Sequence, residues 1–78
     1  MTVQVLFFAQ LREIFGETAR SMRVPEGISI DGLVRALRAE TRGSLPPLVY
    51  AVNEEFEDGD RRLLENDIVA LMTPMSGG

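Results

Sequence analysis

The chain contains no cysteine, no histidine and no lysine. Each absence removes a class of chemistry. Without cysteine there are no disulfides, no thiolate nucleophile and no thiolate metal ligand. Without histidine, the commonest general base and metal ligand near neutral pH is missing. All eight basic residues are arginines. No side chain here can form a Schiff base, and a guanidinium is not a nucleophilic amine near neutral pH. Genomic compositional bias is the simpler source of a lysine-free chain, but its chemical consequence is the same: an activated carboxyl on this chain meets no lysine of its own.

Positive charge is also scarce. Twelve acidic residues against eight arginines give a net charge of −4. That balance argues against nucleic acid, which calls for a basic footprint, and against an anionic membrane surface. No apolar run approaches the ~20 residues needed to span a bilayer. No basic segment followed by an apolar one opens the chain as a signal peptide would. A soluble, cytoplasmic protein is expected. With 78 residues, 45% of them hydrophobic, a single domain is expected. A chain of this size buries about 60–65% of the surface its unfolded form exposes.

The residues that are present divide cleanly into elements. Thr2 to Phe8 (TVQVLFF) is rich in β-branched and aromatic residues and predicts a strand. Val3, Val5 and Phe7 share one face; Gln4, Leu6 and Phe8 share the other. With apolar groups on both faces, the strand is central or keeps one face for a partner. Ala9 to Phe15 predicts a helix of about two turns, with Leu11, Ile14 and Phe15 at helical spacing and Gly16 as its stop. Arg20 to Val24 predicts a second strand, closed by the turn Pro25-Glu26-Gly27.

The clearest helix follows. Ser29 can cap it, and Ile30, Leu33, Val34 and Leu37 form one apolar stripe. Arg35 and Arg38 lie opposite. Arg42 is expected in the last turn, with Gly43 as the stop before Pro46-Pro47. Leu48 to Val52 predicts a strand. Asn53 to Phe56 predicts a short hairpin into another brief strand. Glu57 to Asn66 is polar, with a turn at Asp58-Gly59. Ile68 to Met72 predicts the last strand, which Pro74 ends by lacking a ladder N–H.

This order suits an α+β fold, a mixed sheet packed on one main helix plus a short helix. The ubiquitin-like β-grasp is its natural candidate. There the first and last strands lie side by side in parallel. Residues 1–73 would form the domain and 74–78 a flexible tail ending in Gly77-Gly78. Glycines let a backbone approach another surface closely, so such a thread can enter a tunnel too narrow for any Cβ.

Three stretches together carry a resemblance. They are Val5-Leu6-Phe7-Phe8-Ala9-Gln10 with Arg12-Glu13, then Ala51-Val52-Asn53, then Asp67-Ile68-Val69-Ala70 through Pro74 to Gly77-Gly78. The chain resembles, over essentially its whole length, the small sulfur-carrier subunits of molybdopterin synthase. The resemblance implies that a ubiquitin-activating-like adenylyltransferase uses ATP to adenylate Gly78. Sulfur then replaces AMP, and the thiocarboxylate enters the large synthase subunit. There it gives its sulfur to a cyclic pterin precursor in molybdenum cofactor biosynthesis. The resemblance further implies a heterotetramer with that large subunit, and no cofactor or metal held by this chain. It places Phe8, Phe56 and Met72 in an apolar docking patch with Arg12 near it. Pro74, Met75 and Ser76 would bind the partner too, leading to the reacting Gly77-Gly78 end.

Other features carry weaker signals. Thr73 and Ser76 lack an accompanying base and read as tail polarity rather than as nucleophiles. Glu54, Glu55, Glu57 and Asp58 lack a calcium-loop pattern and read as a solvated face. Phe56 among these acids reads as exposed. Leu71-Met72-Thr73-Pro74-Met75 stands where the family often has aromatics and two prolines before the tail; methionine fills irregular pockets adaptably. Sulfur carriage for thiamine, conjugation to other proteins through Gly78, and an inert binding module are the competing functions.

Overall fold

The alternation in the first strand sets the architecture. In the computed structural model, which describes residues 1–42 and 45–74, β1 (Thr2–Phe7) turns Val3, Val5 and Phe7 into the core. The elements that follow are α1 (Gln10–Phe15), β2 (Ala19–Arg23), α2 (Ile30–Glu40), β3 (Val49–Val52), β4 (Glu55–Glu57) and β5 (Ile68–Met72). They form a five-stranded sheet in the order β2-β1-β5-β3-β4. β1 is central. It pairs antiparallel with β2 and parallel with β5, where Val5 faces Val69 and Phe7 faces Leu71.

α2 covers one face of this sheet. The hydroxyl of Ser29 accepts from the Gly32 N–H at 3.1 Å, and Ile30, Leu33, Val34 and Leu37 are all buried. The polar segment after β4 caps the same helix end. The Ile30 and Asp31 N–H groups donate to the carbonyls of Arg61 and Gly59, and a Cβ on Gly59 would run into the Asp31 carboxylate. Leu63, inside that polar segment, is fully buried and donates its N–H to Ile28. Phe7 stacks on Phe15 with ring centroids 4.6 Å apart. Arg20 lies over both rings and pairs with Glu17 and Glu40, which closes that edge of the core.

Several expected boundaries shift by a residue. β1 stops at Phe7, α1 starts at Gln10, β2 starts at Ala19 and β3 starts at Val49. The end of α2 differs more. The helix stops at Glu40 with Thr41 as its cap, and Arg38 is the basic residue of its last turn. Arg42 lies beyond the helix with φ 57°, taking the left-handed conformation expected of Gly43. Gly43 itself lies outside the described residues.

Candidate functional site: the uncovered sheet face

Strand register assigns every side chain to a face. Val69 and Leu71 of β5 point toward α2 with Val5 and Phe7. Ile68, Ala70 and Met72 therefore point away, on the face that carries Leu6. Across the β3–β5 pairing, Val49 meets Met72 and Ala51 meets Ala70. Across the β3–β4 pairing, Phe56 meets Ala51. Leu6, Val49, Phe56, Ile68 and Met72 thus share one face, and among the described residues no helix lies over it. Phe56 is 76% exposed, Ile68 44% and Phe8 36%. Isolated apolar side chains at a surface are ordinary; a contiguous band of them marks an interaction surface.

Two hollows shape the band. Leu6, Phe8, Ile68 and Ala70 line the first, with Asn53 and Glu54 at its polar edge. Phe8 and Ala9 line the second together with Met72, Thr73 and Pro74. Phe8 is common to both. It joins the sheet face to the point where the chain leaves β5.

Arg12 is held beside this junction. Its Nε–H donates to the Phe7 carbonyl at 3.0 Å, and its guanidinium carbon lies 5.6 Å from the Phe8 ring centroid. That geometry suits a cation–π contact. The turn that makes it possible is strained. Ala9 adopts φ 51°, ψ −126°, a conformation that favours glycine. The Leu11 N–H donates back to the Phe8 carbonyl at 3.1 Å, closing the turn between Phe8 and α1.

The polar rim is organised at the opposite edge. Asn53 and Glu54 both take positive φ, 50° and 72°, as a two-residue hairpin turn with right-handed strand twist requires. Behind that turn, Asp67 is buried. It accepts from Asn53 Nδ2 at 2.9 Å, Arg61 Nη1 at 3.0 Å and the Leu64 N–H at 2.7 Å. Asn53 Oδ1 in turn accepts from the Ile68 N–H. Burial alone would raise the Asp67 carboxyl; the Leu64 N–H, Asn53 and Arg61 outweigh it and hold the carboxyl below its ordinary value. Glu57 pairs with Arg61 at 3.1 Å, while Glu54, Glu55 and Asp58 are exposed. Among the described residues no three acidic side chains converge as metal ligands would.

Phe8, Arg12, Phe56, Met72 and Pro74 therefore lie on or beside the uncovered face. Phe56 stands at its far strand, with Val49 and Tyr50 beside it. Met75, Ser76, Gly77 and Gly78 lie outside the described residues. Leu6 shares the Phe8 face by the alternation in β1, as the sequence implies; Ile68 and Ala70 are additions from the structure, whose signal is the same two-residue alternation in β5.

Residues 5–78 match the ThiS family model. The chain is 32% identical to the molybdopterin synthase sulfur carrier subunit of Homo sapiens, over 97% of this chain and 93% of that protein. It is 30% identical to the subunit of the same name from Dictyostelium discoideum, over 96% and 94%. Among solved structures, small archaeal modifier protein 1 of Haloferax volcanii superposes with a TM-score of 0.80 at 19% identity, over 95% of this chain and 98% of that one. A chain from the complex of subunits 1 and 2 of the molybdopterin-converting factor of Helicobacter pylori superposes at 0.68 and 24% identity, over 100% of both. The last two likenesses establish the fold alone, the ubiquitin-like β-grasp expected from the element order.

Proposed function

The chain belongs to the ThiS family, and from that premise we propose that it is the sulfur-carrier subunit of a molybdopterin synthase, holding its sulfur on the carboxylate of Gly78. The observation that carries this reading is the uncovered apolar face of the sheet, which runs up to the Phe8–Met72–Pro74 junction where the tail begins. The names of the full-length relatives favour molybdopterin over other sulfur acceptors.

The chemistry follows from the functional groups. A carboxylate is a poor electrophile because its charge is delocalised. Adenylation by an activating enzyme, at the expense of ATP, converts one oxygen into a leaving group. Sulfur at the level of hydrosulfide then attacks the carbonyl carbon, the C–S bond forms, AMP departs with the electrons of the broken C–O bond and the sulfur's proton passes to water. The thiocarboxylate that results is a sulfur nucleophile in a chain without cysteine. The chain supplies the reagent and the docking surface. The acid, base and anion-binding groups belong to its partners, the adenylyltransferase and the large synthase subunit. In this sense it is the donor half of a sulfurtransferase and has no activity alone.

Incubation with an adenylating enzyme of the family, ATP and a sulfur source tests the reading. The expected product is a chain heavier by the difference between sulfur and oxygen, with the change confined to Gly78. Pyrophosphate exchange should accompany it. Exchange that persists after deletion of Gly78 would overturn the assignment.

A further inference from the structure

An activated carboxyl reacts with the nearest competent nucleophile, so a carrier is safe only if it offers none. Within these residues the sole aliphatic amine is the amino group of Met1, since every side-chain cation is a guanidinium and guanidinium stays protonated near neutral pH. There is no thiol and no imidazole. The one phenol, Tyr50, is protonated near neutral pH at its ordinary value of 10.0, and burial and the charge of Asp31 push it further up. The Met1 amino group is half-buried and donates to the Val24 carbonyl at 2.8 Å.

The sheet topology then separates that amine from the tail. β1 and β5 run parallel, with Gln4 beside Ile68 and Phe7 beside Leu71. The chain therefore leaves β5 at the Phe8 end of β1, while Met1 lies beyond the other end. The seven steps from Met1 to Phe8 cover about 23 Å of strand. The six steps from Met72 to Gly78 span at most about 21 Å when fully extended, short of that distance.

We propose that the parallel β1–β5 pairing and the absence of side-chain amines together prevent this chain from capturing its own activated carboxyl, so that the acyl group passes only to water or to a partner. The inference rests on the carrier reading for its purpose, but its chemistry is independent of any activating enzyme. Self-capture would be an attack by an amine lone pair on the Gly78 carbonyl carbon. The C–N bond would form, the bond to the leaving group would break with its electron pair, and the ammonium proton would pass to water.

A chemically installed thioester tests this without partners. The chain is prepared with Gly78 as its 2-mercaptoethanesulfonate thioester, in wild-type form and as two exposed single variants. Gln10→Lys places an amine at the start of α1, one residue from Ala9, which lines the hollow with Thr73 and Pro74. Arg23→Lys places one at the far end, where Arg23 pairs with Thr2. Mass spectrometry at dilute protein separates hydrolysed acid from internal amide, which is lighter by one water. Wild type should give only the acid. Gln10→Lys should lose its thioester at least about tenfold faster, as a tethered nucleophile does, and give the amide at a rate independent of concentration. Arg23→Lys should behave as wild type. Amide from wild type at the Gln10→Lys rate would overturn the proposal. So would equal rates for the two variants, or a Gln10→Lys rate no faster than wild type. None of these outcomes depends on whether the natural cargo is sulfur, so the carrier reading stands or falls separately, on exchange and mass at Gly78.

Discussion

Phe7 and Phe8 are neighbours in the chain and opposites in the structure. Phe7 is fully buried under α2 and stacks on Phe15. Phe8 is 36% exposed on the other side of the sheet, with Arg12 over its ring. The same contrast runs across the whole sheet. One face is sealed by Ile30, Leu33, Val34 and Leu37 of α2; the other presents Leu6, Ile68, Met72 and Phe56 and, among the described residues, has no helix above it. The bare face is also the more polar toward β2, where Gln4, Ser21 and Arg23 share it, so the main difference along β5, β3 and β4 is coverage. Burial is what converts apolar surface into stability, so the covered face holds the fold together. The bare face contributes little to that stability.

The largest effect should come from damage to the covered face. Leu37 is fully buried, and Leu37→Ala should cost about 2–5 kcal/mol, as loss of a buried leucine side chain does. Urea denaturation measures it. A loss below about 1 kcal/mol would mean that α2 does not seal the sheet as described.

The polar network behind the β3–β4 turn comes next. Asp67 ties the start of β5 to that turn through Asn53 and to the segment after β4 through Arg61 and the Leu64 N–H. Asp67→Asn should cost about 1–3 kcal/mol, because the Arg61 and Leu64 donors lose a charged acceptor. The pH dependence has a definite sign. A carboxyl held below its ordinary value of 3.8 stabilises the fold above that pH, and the contribution is lost as pH falls through the lower folded value. Wild type should therefore lose stability in acid more steeply than Asp67→Asn. Parallel acid curves for the two proteins would contradict this role for the network.

A smaller change should go the other way. Ala9 holds a positive φ that costs a non-glycine residue about 1–3 kcal/mol. Glycine relieves that strain but adds freedom to the unfolded chain, worth about 0.4–1 kcal/mol against it. Ala9→Gly should thus stabilise by about 1 kcal/mol, visible as a higher urea midpoint. A destabilised variant would show that the Phe8–Leu11 turn is not strained.

Both faces were legible in the sequence to different depths. The α2 stripe and the β1 alternation follow from local periodicity, and they located the core and set Leu6 and Phe8 apart. The parallel neighbours β1 and β5 came with the β-grasp, for which the order of elements made a candidate. Leu63 did not, because it sits in a polar stretch beside an equally apolar Leu64 that is 66% exposed. Only the long-range bond from its N–H to Ile28 decides which leucine turns inward. The Asp67–Asn53 pair was equally silent. Both residues stood in the motifs of the resemblance, yet fourteen positions separate them and no local pattern links them. Ala9 was hidden for another reason: its strain is a backbone property of a residue that otherwise favours helix.

The measurement closest to the central claim uses Phe56, which is 76% exposed at the far strand of the bare face. Unfolding and affinity for the large synthase subunit are measured on the same preparations of wild type and Phe56→Ala. The stability of the variant should stay within about 0.5 kcal/mol of wild type, as for a surface substitution. Its affinity should fall by about 2 kcal/mol, as loss of an aromatic anchor produces. A variant that unfolds as easily as it dissociates, or that binds like wild type, would contradict the division of labour between the two faces.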